Sequence, residues 1–115
     1  MFSDNSNILL LVTKLTEKTM QGKIDWKKGV VFNSFMYHME KVSISLNINA
    51  SGEKTVVSFN ILDETGMVIE TYSELYQYTQ DDYDNPVSFL YNIARRKALN
   101  IDETIDSVIT HISDL

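Results

Sequence analysis

Cysteine is absent from this chain of 115 residues, which excludes disulfides and thiolate metal sites together. Proline occurs once and glycine four times, too sparsely for a linker, a collagen-like repeat or a low-complexity tract. Lysine and arginine are missing between Asp63 and Asp84, a stretch that holds seven acids. The apolar run Ile8 to Val12 falls far short of the ~20 residues a membrane span needs, and Met1 to Asn7 has no basic residue to open a secretory signal. Asn49-Ala50-Ser51 matches a glycosylation sequon and, without an export signal, reads as a chance tripeptide. A cytoplasmic protein is expected.

What is present suffices for one core. Apolar residues make up 43% and charged residues 23% of 13.2 kDa, the balance of a single globular domain over residues 1–115. A domain of this size buries roughly 65% of the surface of its unfolded chain. The net charge of −6 is unevenly spread. Residues 1–60 carry seven Lys/Arg against five acids, and residues 61–115 carry three against eleven. That argues against general nucleic-acid binding, which needs clustered cations, and suits an acidic surface that meets a basic partner.

Periodicity supplies the fold class. Ile8, Leu11, Val12 and Leu15 recur at helical spacing, with Gly22 at the stop, and predict a helix over 5–21. Lys41 to Asn49 then alternates with a period of two, Val42, Ile44, Leu46 and Ile48 on one face. Val57, Phe59 and Ile61 repeat the pattern after a loop at 50–53, and a three-residue loop at 64–66 leads to Met67–Tyr72. These turns predict Leu46 opposite Val57, Ile44 opposite Phe59 and Ile61 opposite Ile69. A tight turn at Glu40-Lys41 sets Tyr37 opposite Ile44 and Phe35 opposite Leu46. A short edge strand Lys23–Trp26 precedes them. Asp84-Asn85-Pro86 opens a helix carrying Val87, Leu90, Tyr91 and Ala94, and Ile101, Ile105, Val108, Ile109 and Ile112 mark another. The expectation is an α+β two-layer sandwich: an N-terminal helix, a four- to five-stranded antiparallel meander and two C-terminal helices on one sheet face.

No catalytic, cofactor or metal site is expected. His38, Ser43, Asn60 and Glu70 fall in one outer row, but His38 and Glu70, three strands apart, would be ~14 Å distant, too far for a triad. The two histidines, 38 and 111, have no ligand-like spacing. Asp81 to Asn85 is rich in oxygen ligands but lacks the glycine and closing glutamate of a calcium loop. Three lysines around Trp26 are too few for nucleic acid.

Protein contact is the leading expectation. An acidic, tyrosine-rich stretch of Glu70, Tyr72, Glu74, Tyr76, Tyr78, Asp81, Asp82 and Asp84 is the candidate surface for a basic partner, as in an immunity-type inhibitor or a regulatory accessory protein. Ile24, Trp26, Val30 and Phe32 fall on the outer sheet side if the first hairpin keeps register, an apolar edge for a homodimer or partner. A bulge near Asn33-Ser34 would instead turn them inward. The alternative function is a small-molecule binder or enzyme using the polar face His38, Ser43, Ser45, Ser58 and Asn60.

Overall fold

Residues 6–77 and 84–115 are described by the structure, a computed structural model. The N-terminal periodicity folds as helix α1, Ser6–Met20, which buries Val12, Leu15, Thr16 and Thr19. Threonine tolerates this because its hydroxyl stays inside the helix. Thr16 donates to the Val12 carbonyl at 2.8 Å and Thr19 to the Leu15 carbonyl at 2.6 Å. Hydrogen bonds from Gly22 to Thr19 and from Lys23 to Lys18 close the last turn as a Schellman motif.

The five strands are β1 (Lys27–Lys28), β2 (Ser34–His38), β3 (Ser43–Ser51), β4 (Lys54–Leu62) and β5 (Val68–Leu75). They lie side by side in chain order, each pair antiparallel. The β2–β3 register is the expected one, with Phe35 opposite Leu46 and Tyr37 opposite Ile44. Met39 donates to the Val42 carbonyl at 2.8 Å across the Glu40-Lys41 turn.

Two registers differ from expectation. Gly52, at φ 65°, makes the β3–β4 connection a two-residue turn, so Leu46 faces Phe59 and Ile44 faces Ile61. The slip is two residues, so the inward face is kept. The β4–β5 loop is where it was expected, yet Ile69 bulges out of the ladder immediately after it. Leu62 pairs with Val68 and Ile61 with Glu70. The bulge turns Ile69 to solvent and brings Tyr72 inward opposite Phe59. The edge strand is also displaced, from Lys23–Trp26 to Lys27–Lys28.

Helix α2, Pro86–Ala98, lies on the sheet and against α1. Its Val87, Leu90, Tyr91 and Ala94 join Val12, Leu15, Trp26, Phe35, Ile44, Leu46, Val57 and Phe59 in one core. Each full aliphatic or aromatic burial contributes about 1.5–3 kcal/mol before chain entropy is subtracted. Tyr91 meets Phe35 edge-on with centroids 5.5 Å apart, and burial pushes its phenol above the usual 10.0. Asn100, in the left-handed region at φ 52°, breaks the helix direction and starts α3, Ile101–Ser113, which packs against α2. The whole is the expected α+β sandwich.

Candidate functional site

The acidic, tyrosine-rich stretch is largely structural where it is described. Glu74 points inward and its carboxylate accepts the amides of Val87 at 3.3 Å and Ser88 at 3.1 Å. It thereby caps α2 from a neighbouring strand, the work that Asn85 leaves undone. Tyr72 is half-buried against the core. The Tyr76 hydroxyl donates to Asn92 Oδ1 at 2.6 Å, and its ring meets Tyr91 edge-on at 5.9 Å. Glu70 and Asp84 are exposed. Tyr78, Asp81 and Asp82 lie outside the described residues. Tyr72, Glu74 and Tyr76 thus have contacts within the fold, while Glu70 and Asp84 face solvent. The alternation Tyr72, Glu74, Tyr76 ahead of a proline-started helix was the available signal.

On the outer sheet face the tighter β3–β4 turn and the bulge reshuffle the rows. Ser43 now lies between His38 and Leu62, while Ser45 lies between Met36 and Asn60, with Thr71 beyond. Glu70 leaves this face altogether, which removes the carboxylate from the expected row. His38 Nδ1 and Ser43 Oγ are 2.9 Å apart. Asn60 donates to Asn47 Oδ1 at 2.8 Å and accepts from Thr71 Oγ1 at 3.0 Å, and Ser58 meets Ser73 at 2.8 Å. These polar atoms are engaged with one another.

The first edge divides. Trp26 is only 2% exposed and its indole N–H donates to Thr19 Oγ1 at 2.9 Å, with Ile24 packed beside it on the core. The expected outward placement of Trp26 is thus corrected: Lys27 lies opposite Met36 on the outer face, so the alternation turns the preceding Trp26 inward, with its ring 6.0 Å from that of Tyr37. Val30 and Phe32, at 101% and 87% exposed, stand out at the tip of the 29–33 loop, with Val31 between them. Asn33, at φ 59°, makes the reversal into β2. Beside the tip lies a cleft of about 420 Å³ that Lys28, Phe35 and Leu99 also line. Lys27 is ion-paired with Asp25 at 3.1 Å.

Helix α3 carries an exposed apolar face. No residue of it is buried, and Ile105, Val108, Ile109 and Ile112 are 46–60% exposed. At 100° per residue these side chains, with Ile101, share one arc of about a third of the helix. Asp102 and Asp106 follow one border of that arc, and Arg96 of α2 engages Asp102. The stripe was legible from spacing. Its exposure was not, because periodicity is the same whether the cover comes from the same chain or another.

Among the described residues no group of three or more His, Asp or Glu side chains could hold a metal, and no helix is long and apolar enough to cross a membrane. The Asp63 carboxylate is held below its usual 3.8 by the Thr65 hydroxyl at 2.6 Å and the Met67 amide at 3.0 Å. That pattern is an Asx-type turn that fixes the β4–β5 loop. No family model, curated protein or solved structure matches the chain.

Proposed function

We propose that this chain is a non-enzymatic protein-interaction module that contacts its partner through α3. One observation carries the reading: four branched aliphatic residues of an amphipathic helix remain exposed while carboxylates border them. Exposed apolar strips of this kind mark interaction surfaces. The helix has no lysine or arginine, so the partner that fits presents an apolar surface with a cationic rim. The acidic surface expected from charge segregation is thereby carried by a helix face rather than by the tyrosine-rich stretch.

A synthetic amphipathic peptide of leucine and lysine at helical spacing tests this by fluorescence anisotropy. It binds the full chain, and Ile109→Asp weakens binding about tenfold or more. Added salt weakens it further. A leucine–glutamate peptide that binds equally well, or an Ile109→Asp variant that binds unchanged, overturns the reading.

A further inference from the structure

We infer that the surface completing α3 is the 29–33 loop of a second copy of this chain, with the exchange made reciprocally. The inference rests on the reading of α3 as a contact surface and names its occupant. That reading calls for an apolar surface with cations at its border, and the chain itself carries one. Val30, Val31 and Phe32 are three consecutive exposed apolar residues, and Lys27 and Lys28 of β1 lead into them. Lys28 lines the adjoining cleft, and no ion-pair partner for it exists among the described residues.

Charge and area both favour this pairing. With Asp102 engaged by Arg96 and Lys27 by Asp25, Asp106 of α3 would meet Lys28 of β1, whereas α3 against α3 would bring carboxylates to carboxylates with no Lys or Arg on either helix. The two patches together present seven large apolar side chains at 46–101% exposure, material for the roughly 800 Å² that each partner of an ordinary stable interface buries. Their arrangement also suits a two-fold axis. Leu99, which lines the loop cleft, is followed at once by Asn100 and α3, so the donor helix and the acceptor cleft meet at one place. In a two-fold pair each copy then gives its helix and receives the other's.

Sedimentation of the full chain over a concentration series tests the inference. The chain dimerises, and Phe32→Ser and Ile109→Ser each raise the dimer dissociation constant about tenfold or more. Both residues are exposed, so near-UV circular dichroism and Trp26 emission stay those of the parent. Mixing the two variants yields a heterodimer tighter than either variant alone, because one intact helix still finds one intact loop. Lys28→Glu and Asp106→Lys behave likewise, each weakening the dimer and the mixture partly restoring it. A dimer that survives Phe32→Ser but not Ile109→Ser means helix-to-helix pairing and overturns the inference. A strict monomer that still binds the leucine–lysine peptide removes the second copy and leaves the α3 reading intact. A monomer that ignores the peptide removes both.

Discussion

The indole nitrogen of Trp26 donates to Thr19 Oγ1 at 2.9 Å, tying the chain that enters β1 to the last turn of α1. Both groups are buried, and the threonine hydroxyl itself donates a hydrogen bond to the Leu15 carbonyl. Thr19→Val keeps the shape and leaves the indole N–H without a partner. It is expected to cost about 1–3 kcal/mol in urea unfolding. Trp26 is the sole tryptophan, so its emission reports the transition directly. In the folded chain that emission is expected to be blue-shifted and to resist acrylamide quenching, because Trp26 is buried.

The Glu74 carboxylate does for α2 what a capping side chain usually does from within the helix. Glu74→Ala is expected to lower stability by about 1–2 kcal/mol, and Glu74→Gln by less, since an amide oxygen still accepts. The gap between the Ala and Gln variants narrows as salt screens the charge–dipole part. Chemical denaturation at low and high ionic strength measures both effects.

Asp63 makes the β4–β5 loop sensitive to acid. Its folded pKa lies below 3.8, so its contribution is present above that value and disappears as pH falls through the lower, folded one. Asp63→Ala is therefore expected to melt below the parent at pH 6, and the difference narrows as pH falls below 3.8. A difference that grows on acidification would contradict the hydrogen-bond account.

Gly29 sits against Ser34 so closely that a methyl group there would fall 2.1 Å from Ser34 Oγ and 3.1 Å from Ser34 Cβ. Gly29→Ala is expected to cost about 1–3 kcal/mol through this overlap. Ser34→Ala in the same chain removes the nearer clash, so the pair costs less than the separate changes combined. A double-mutant cycle by urea unfolding decides it.

The bulge at Ile69 makes an unusual forecast for deletions. Removing Ile69 leaves Leu62 opposite Val68 and Ile61 opposite Glu70 in a regular ladder, with Tyr72 and Glu74 still facing the helices. Stability is expected to stay within about 1 kcal/mol of the parent. Removing Asn47 from the uninterrupted β3 turns half its apolar residues outward and abolishes folding, as followed by circular dichroism.

These residues also explain which parts of the molecule could be read from sequence. The β2–β3 register was legible because Val42 to Ile48 alternates without interruption and Glu40-Lys41 leaves no slack. Across β4 and β5 the expected register holds for two residues past the loop, Met67 and Val68, and ends at Ile69, since a bulge shifts the alternation and leaves no turn residue to announce it. The inward turn of Trp26 was hidden because β1 is too short to show any period. The inward role of Glu74 does not show in spacing because the amides that donate to it, at the start of α2, lie more than ten residues downstream. For α3 the apolar arc was visible, and its environment is a tertiary fact that spacing does not carry.

With no buried residue of its own and an N-cap that makes no side-chain hydrogen bond, α3 stands near the length at which an isolated helix is only marginal in water. Its winding and its docking therefore draw on one equilibrium, and part of any contact energy is spent on ordering the helix. Amide hydrogens of α3 then exchange more slowly as protein concentration rises, while those of α2, anchored by Val87, Leu90 and Ala94, do not change. Under the proposed pairing, α3 is expected to unwind on warming as the contact dissociates and before the core melts, a thermal response set by the chain's own abundance.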